Sequence, residues 1–311
     1  MQKHVTSISR RTLLGALGTG ALAASVAGRP RAAGEIPYID VHTHPGPIWR
    51  RQGVQEITVD GLLKWMDRHH VERACLLAHV SPEGRVIPIP PLDTLAAARQ
   101  HPDRLIAFTS VDPRADFGKV PDLVEMLRWY QDQGAKGFGE HKPGLPIDHP
   151  LCFRLYEACE IAGLPLLLHM DRTCNTDSQG LPGLRRVLQG FPKLNVIAHG
   201  PFWWASISTV ATEDGYPKGR VAAGGSVDAL MDAFPNLYAD LSAGSGANGL
   251  ARDREFGRAF LIRRADRLLF GSDYLQPDQV VSQFELLPSF ELPLEVRRKI
   301  YRDNAIRLLK L

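Results

Sequence analysis

Eight short apolar runs recur along the chain at nearly even intervals, and a helical pattern follows each of them. We place strands at 38–44, 73–79, 104–111, 135–142, 165–171, 195–200, 236–243 and 267–273. Their first residues lie 30 to 41 positions apart, which is the length of one strand–helix unit. Eight such units closed into a (β/α)8 barrel need roughly 250 residues, and the chain has 311. The sequence therefore predicts a single-domain α/β TIM barrel rather than an open, doubly wound sheet.

The helical patterns between the strands agree with this prediction. The segments 120–134 and 149–163 carry apolar residues one helical turn apart, and each ends at a glycine, Gly134 or Gly163, as helices often do. The unit between the sixth and seventh strands is about ten residues longer than its neighbours. We expect its extra segment, 201–224, to shape a substrate pocket, because barrel active sites lie at the end of the strands where this loop starts.

The first 33 residues have a different character from the rest. A basic start that includes Arg10 and Arg11 precedes an apolar run of fourteen small residues, 13–26. A membrane-spanning helix needs about 20 apolar residues, so this run is too short to be a stable span. The pattern resembles a twin-arginine signal peptide. We expect residues 1–33 to direct export through the twin-arginine machinery to the periplasm or beyond, and 34–311 to form the barrel.

The net charge of +3 comes from this leader. Residues 1–33 hold five of the 37 basic residues and no acidic one, which leaves 32 basic and 34 acidic residues, or −2, in the remainder. That balance gives no electrostatic reason to expect binding of nucleic acid or of a membrane surface. We expect a small-molecule substrate as the partner, and no feature of the sequence specifies an oligomeric state.

The four cysteines form no C-x-x-C pair. Cys152 and Cys159 are seven residues apart on one predicted helix, about 10.5 Å along its axis, which is too far for a disulfide. The sequence therefore predicts neither a disulfide framework nor a thiolate zinc site.

Histidines and a carboxylate fall where predicted strands end. The first strand ends with two histidines in alternate positions, the fifth and sixth end with one histidine each, and the eighth ends with an aspartate; they are His42, His44, His169, His199 and Asp273. Alternate residues of a strand point the same way, and the parallel strands of a barrel end at one mouth. A lone histidine there is usually a polar rim residue, but this set predicts a divalent metal site, with Zn²⁺ as the default ion.

The ordered set Asp-Val-His-Thr-His (40–44), His169, His199 and Asp273 resembles the amidohydrolase superfamily of metal-dependent barrels. The closing stretch 300–309 is also similar to the ends of many members. The resemblance covers nearly all of 36–311. Among the subgroups, the chain is most similar to the amidohydrolase-related branch, which includes aromatic-acid and semialdehyde decarboxylases besides hydrolases.

The resemblance implies a role for each residue of the set. His42, His44 and His169 would be metal ligands, and His199 would either bind a second ion or polarise the substrate carbonyl. Asp273 would contact the metal and its water as general base and then pass the proton to the leaving group. Bound Zn²⁺ lowers the pKa of water to about 7, so a carboxylate within hydrogen-bonding distance could serve in this way.

The fourth strand differs from many two-metal members, which use a carboxylated lysine or a glutamate there. Strand alternation places Phe138, Glu140 and Lys142 on one face and His141 on the other. Glu140 resembles the glutamate that TatD-like nucleases use on the same strand, and we predict that it is a metal ligand. A salt bridge to Lys142 or Arg172 is the alternative, and the number of ions, one or two, stays open.

Further residues near the mouth are candidates for substrate binding. Lys142 or Arg172 could bind a substrate carboxylate, Trp203 and Trp204 could cover an apolar or ring-shaped substrate, and Asp240 ends the seventh strand. Alternatively, Arg172 and Asp240 form a structural ion pair and the tryptophans serve packing. Three other residues at strand ends could line the pocket: Asp171, Ser242 and His79.

These features favour a metal-dependent hydrolase that acts on an amide, ester or lactone of a small organic acid. A non-oxidative decarboxylase of an aromatic or unsaturated acid is the main alternative, because the same ligands serve both reactions. A TatD-like nuclease fits Glu140, but the charge of −2 and the lack of a basic run at the mouth argue against it. A non-catalytic metal-binding scaffold does not explain so complete a ligand set.

Overall fold

All eight predicted strands lie in one parallel sheet. A computed structural model describes residues 36–115, 118–210 and 212–311, so the predictions for 1–33 lie outside the described residues. The barrel strands are β1 (Tyr38–Thr43), β4 (Val71–Leu76), β5 (Leu105–Thr109), β6 (Gly137–His141), β7 (Leu166–His169), β8 (Val196–His199), β9 (Leu237–Asp240) and β10 (Leu268–Leu269). They are neighbours in this order, each parallel to the next.

The barrel closes between its first and last strands. β10 pairs with β9 over only two residues, and the chain that follows bonds to β1 instead. The backbone N–H of Val41 donates to the carbonyl of Phe270 (3.0 Å), and the N–H of Asp273 donates to the carbonyl of His42 (2.9 Å). These bonds set the end of β1 beside the residues that follow β10, so the predicted (β/α)8 barrel is confirmed.

Helices connect the strands and cover the outside of the barrel. They are α1 (Val59–Arg68), α2 (Pro91–Gln100), α3 (Val120–Asp132), α4 (Pro150–Ala162), α5 (Pro182–Gly190), α6 (Pro201–Ala205), α7 (Ser226–Ala233), α8 (Ala243–Ala251), α9 (Arg254–Arg263), α10 (Gln283–Leu286), α11 (Leu294–Arg298) and α12 (Asn304–Leu309). Short 3₁₀ turns lie at Ala265–Arg267 and Pro288–Phe290, and a π-helical turn at Lys299–Asp303 joins α11 to α12. The predicted glycine ends are confirmed, since Gly163 caps α4 with φ of 72° and Gly134 follows α3 with φ of 108°. In the described part of the chain, no helix combines the length and the apolar character that a membrane crossing requires.

A small antiparallel hairpin, which the strand pattern did not predict, follows β1. Its strands are β2 (Gly46–Arg50) and β3 (Gly53–Ile57). Trp49 and Val54 pair across it and are both exposed, and Ile57 at its end is the one buried apolar side chain of the two strands.

Alternate residues of the barrel strands separate two apolar clusters. Leu167 and Ile197 belong to an inner cluster that fills the barrel. Their sequence neighbours, such as Leu166 and Ala198, belong to an outer cluster shared with the helices. Leu308 of α12 joins the inner cluster. A packed interior below the mouth is what positions the strand ends rigidly.

Phe138 is a correction to the predicted facing of β6. Strand alternation places it on the Glu140 side, but Phe138 packs in the outer cluster, with its ring centroid 5.9 Å from that of His141. The pairing of β6 with β7 shifts register between Phe138 and His141, which interrupts the alternation. Glu140 nevertheless faces the barrel mouth, and His141 lies behind the strand against Tyr156, as predicted.

Candidate metal centre and active site

Two histidines converge at the end of β1. His42 and His44 are both buried, and their Nε2 atoms are 2.9 Å apart. The barrel closure holds this segment in place, because the His44 N–H donates to the carbonyl of Tyr274 (2.9 Å). Two imidazole nitrogens therefore face the same point at the mouth, as the alternate positions of these residues predicted.

A buried carboxylate supports the first of these histidines from behind. His42 Nδ1 donates to Asp240 Oδ2 at 2.5 Å. Asp240 Oδ2 also lies 3.2 Å from His199 Nδ1, and it accepts a hydrogen bond from the Ser242 hydroxyl (2.8 Å). Burial acts to raise the pKa of Asp240, but the two imidazoles outweigh it and hold this pKa well below its usual range. Burial and the nearby His199 act to lower the pKa of His42, but the carboxylates of Asp240 and Asp273 raise it overall.

Glu140 lies at the centre of the site. Its Oε1 is 2.8 Å from His169 Nδ1, and its Oε2 is 2.7 Å from His79 Nε2 and 3.4 Å from His44 Nε2. Burial acts to raise the pKa of Glu140, but Lys142 and the imidazoles lower it well below its usual range. Its Oε2 is also 3.8 Å from His42 Nε2, so Glu140 is an ionised carboxylate among four imidazoles.

Asp273 is the most exposed of the candidate ligands. Its backbone lies in the left-handed region at φ of 53°, where aspartate is one of the few non-glycine residues that are tolerated. Its Oδ1 is 3.5 Å from His42 Nε2 and 3.4 Å from His44 Nε2, and its side chain is 19% exposed. Burial acts to raise the pKa of Asp273, but the imidazoles, His42 foremost, lower it to about 2. The carboxylate is charged at neutral pH and still accessible.

The donor set fits a divalent metal ion. Three groups of side chains bring ligand atoms within 4.8 Å of one another: His42, His44 and Glu140; His42, His199 and Asp273; and Glu140, His169 and His199. Separations of 3.4–3.5 Å between nitrogen and carboxylate oxygen are long for hydrogen bonds, but ligands about 2.1 Å from one tetrahedral ion lie about 3.4 Å apart. The structure thus brings together all six residues that were predicted as ligands.

Two cations approach this carboxylate-rich centre. Lys142 follows β6, and the pKa of its amine is raised because the carboxylates of Glu140, Asp273 and Asp171 outweigh its burial. Arg85 lies in the connection after β4, where its guanidinium donates to the carbonyl of Pro47 (2.7 Å). Burial, together with nearby Arg50, lowers the pKa of Arg85 to about 10, so it also stays charged at neutral pH.

A cavity of about 810 Å³ opens beside the cluster. Its walls come from the connections after β7 and β8 and include Asp171, Arg172, Phe202 and Thr209. Asp171 links this cavity to the site, because its Oδ2 is 2.9 Å from His169 Nε2. Part of the long 201–224 segment therefore lines a pocket, as expected.

Three of the predicted substrate residues, Trp203, Trp204 and Asp240, are buried away from any substrate. Trp203 and Trp204 are 0% and 1% exposed and pack in the outer cluster, because the short helix α6 turns them inward instead of over the mouth. Asp240 is fully buried, so it contacts His42 and not a substrate. Arg172 is 62% exposed and faces Glu213, which excludes the alternative pairing with Asp240. Lys142 lies against the candidate ligands and can reach a substrate there, and Arg172 lines the cavity beside them.

Three residues near the centre received no specific role from the sequence. His79 was expected only to line the pocket, yet it contacts Glu140 directly, and its position at a predicted strand end was the available signal. Arg85 has no such signal, since it lies in a loop. Tyr216 belongs to the long segment; partial burial and then nearby Asp273 raise the pKa of its phenol, while Lys142 acts to lower it.

The cysteines have no part in this centre. All four are free and buried, which confirms the prediction that they form no disulfide.

Comparison with known proteins links this geometry to a family. The family described as Amidohydrolase (Amidohydro_2) matches residues 39–311. A search of curated proteins finds no match.

Solved structures share the fold over their whole length. An uncharacterised TIM-barrel protein from Bordetella bronchiseptica is 19% identical, covers 88% of this chain and 99% of its own, and has a TM-score of 0.64. A putative 2-pyrone-4,6-dicarboxylic acid hydrolase from Pseudomonas putida is 18% identical over 89% and 98% of the two chains (TM-score 0.62). A dihydroxybenzoic acid decarboxylase from Polaromonas, solved with bound manganese and an inhibitor, is 15% identical over 89% and 98% (TM-score 0.54).

Proposed function

Because the chain belongs to the amidohydrolase family and is an enzyme of that superfamily, we propose that it is a metal-dependent hydrolase of an amide, ester or lactone of a small organic acid. The observation that carries this proposal is the place of Glu140. It belongs to one ligand group with His42 and His44 and to another with His169 and His199. A carboxylate shared between two groups suits two ions, and paired ions are typical of hydrolytic sites.

Zn²⁺ is the ion we propose, because imidazole and carboxylate ligands at tetrahedral spacing suit it. Manganese also suits a site with several carboxylates, and the Polaromonas decarboxylase was solved with manganese. When bound, such an ion would polarise the substrate carbonyl and lower the pKa of a nearby water.

Asp273 is the residue that we propose as general base. A pKa of about 2 leaves it ionised at neutral pH, so it can accept a proton from water. Its side chain is more exposed than those of the histidines around it, which places it towards the substrate side. His199, which shares a ligand group with His42 and Asp273, is proposed to orient the substrate carbonyl.

Lys142 and Arg85 favour an anionic substrate. In the described ranges, neither has a carboxylate within salt-bridge distance of 4.0 Å, although both lie near Glu140 and Asp273. Cations held close to a metal centre without a carboxylate partner can bind a carboxylate of the substrate. The likeness to the putative dicarboxylic acid hydrolase from Pseudomonas putida supports an organic acid as the substrate class.

Decarboxylation is the second candidate, and the likeness to the Polaromonas decarboxylase favours it. That reaction also uses a bound carboxylate and a proton-transferring group, which Asp273 could supply. The two reactions differ in their products, because hydrolysis consumes water whereas decarboxylation releases CO₂.

The test is a screen of the metal-loaded enzyme with lactones, esters and amides of small organic acids and with aromatic acids. In ¹⁸O-labelled water, hydrolysis places one label in the product acid and releases no CO₂. Asp273→Asn is expected to keep bound metal and lower kcat at least about 100-fold, whereas Lys142→Met should raise KM for the acid substrates. Release of unlabelled CO₂ as the main product would overturn the hydrolase in favour of the decarboxylase.

A further inference from the structure

One buried carboxylate touches two imidazoles of the metal centre. Asp240 is fully buried at the end of β9, and the same oxygen, Oδ2, lies 2.5 Å from His42 Nδ1 and 3.2 Å from His199 Nδ1. Its other oxygen, Oδ1, accepts the backbone N–H of Ser242 (2.9 Å). Neither a substrate nor solvent reaches this group.

The contacts of Asp240 determine where the protons on these rings lie. An ionised carboxylate only accepts hydrogen bonds, so His42 Nδ1 must carry a hydrogen. Ser242 has one hydroxyl hydrogen, which it donates to Asp240 Oδ2 (2.8 Å). The Ser242 oxygen, 3.0 Å from His199 Nδ1, is therefore left to accept a hydrogen from that ring as well.

We propose that Asp240, assisted by Ser242, is a positioning residue that holds both His42 and His199 with the hydrogen on Nδ1 and the Nε2 lone pair directed into the metal centre. The carboxylate acts on two imidazoles that belong to separate strands, β1 and β8. Loss of Asp240 is thus expected to disturb both at once. The inference rests on the metal centre proposed above, but not on which reaction it catalyses.

Asp240→Asn is the informative variant. The asparagine oxygen would keep the bond from the Ser242 N–H, and its NH₂ group would then face the Nδ1 hydrogens of both imidazoles. Two hydrogen-bond donors, the amide NH₂ and a ring N–H, would then face each other. At least one imidazole must therefore move its hydrogen to Nε2 or rotate. Carboxylates behind metal-binding histidines typically affect affinity 10–100-fold.

The experiment measures two properties of the full chain: Zn²⁺ affinity, by competition with a chromogenic chelator, and the histidine tautomers, by ¹⁵N NMR of histidine-labelled protein stripped of metal. We expect Asp240→Asn to lose at least 10-fold in affinity and to change the Nδ1 and Nε2 signals of His42 and His199. Ser242→Ala should change the His199 signals more than those of His42. This variant tests the proposal if Asp240→Asn fails to fold.

Asp40→Asn is the matched control. Asp40 is also a fully buried carboxylate beside the site, but it accepts the backbone N–H groups of His42 and Ser272 and no imidazole. The Asp40→Asn variant should leave the tautomers of His42 and His199 unchanged. If Asp240→Asn and Ser242→Ala both keep wild-type tautomers and Zn²⁺ affinity, the proposal is wrong even if the enzyme is a hydrolase. If the tautomers respond as expected but no substrate is hydrolysed, the positioning role stands and the proposed function fails.

Discussion

At the residue scale, Gly271 leaves the space that Asp240 occupies. A Cβ atom at Gly271 would clash with Asp240 Oδ1, closer than unbonded carbon and oxygen atoms approach, and would lie 3.0 Å from the Ser242 Cβ, which is also tight. Gly271→Ala is therefore expected to displace the carboxylate behind His42 and to weaken Zn²⁺ binding about 10-fold or more, as measured by chelator competition.

Gly190→Ala is the control for this change. A methyl group there would meet nothing within 4 Å, so Zn²⁺ affinity should not change. Equal affinity in both variants would mean that Asp240 can move without consequence for the metal centre.

The sequence predicted which side chains converge at the barrel mouth better than which of them are open to a substrate. His42, His44, His169, His199 and Asp273 could be found because a strand end in a barrel determines where a side chain points. The role of Asp240 could not be found in this way, because its position is also a strand end and only the packing around it shows that it is buried. A short motif indicates which strand end a residue occupies, whereas its burial determines whether it can contact a substrate.

The two tryptophans illustrate the same limit. Large aromatic side chains serve in pockets and in cores alike, and α6, which buries Trp203 and Trp204, is too short to show a periodic pattern.

At the scale of elements, an ion-pair cluster joins two connections at the barrel mouth. Arg114, after β5, contacts Asp112 and also Glu83 in the connection after β4. Hydrogen bonds from Arg114 lower the pKa of Glu83 to about 2. For Asp112, burial acts to raise the pKa, but Arg114 outweighs it and the value is again about 2.

Arg114→Met should therefore destabilise the protein in a pH-dependent way. Carboxylates with a lowered folded-state pKa stabilise fully above their unfolded pKa, near 4, and lose that contribution as the pH falls towards 2. We expect the free energy of unfolding of this variant to be lower than that of the wild type by at most about 1 kcal/mol at pH 7, because these groups are partly exposed. At pH 3 the difference in the free energy of unfolding should be smaller. Urea unfolding at both pH values measures it.

Arg128→Met provides the comparison. Arg128 is exposed, and no salt bridge of it is found among the described residues, so its effect should not depend on pH. A difference between wild type and Arg114→Met that is the same at pH 7 and pH 3 would contradict the ion-pair explanation.

The packing of the inner cluster leads to a prediction about stability. Leu167 is fully buried inside the barrel, and its truncation in Leu167→Ala removes packed methyl groups that nothing can replace. The free energy of unfolding should fall by about 2–5 kcal/mol in urea denaturation. Val280→Ala, at a side chain that is 89% exposed, should change the free energy of unfolding by less than about 0.5 kcal/mol. Comparable losses of stability in the two variants would exclude a tightly packed barrel interior.

The strands and the order of units could be predicted from the sequence, whereas two local features could not. The barrel strands repeat one pattern eight times, so an error in one run does not change the fold. In the β2–β3 hairpin, Ile57 is the one buried apolar side chain, so the hairpin lacks the alternation that predicts a strand. The facing of Phe138 depends on a register shift between β6 and β7, which only the pairing partner reveals.

At the scale of the whole molecule, export is a prediction that rests on residues 1–33 alone. A fluorescent protein fused to these residues should leave the cytoplasm of a bacterium that has the twin-arginine machinery, and cell fractionation with microscopy would show it. Replacing both Arg10 and Arg11 by lysine should retain the fusion in the cytoplasm, because this machinery depends on the arginine pair. Equal export of both fusions would point to a different route.

The barrel closure has a consequence for how each copy of the enzyme is made. Ser272 bonds to His42 across 230 positions of sequence, so a ribosome delivers the first pair of ligands long before Asp273 and the strand that completes the mouth. Contacts so distant in sequence form late and slowly. A nascent chain that stops before its last strand therefore holds His42 and His44 but lacks Asp273, and so lacks one side of the proposed cation site.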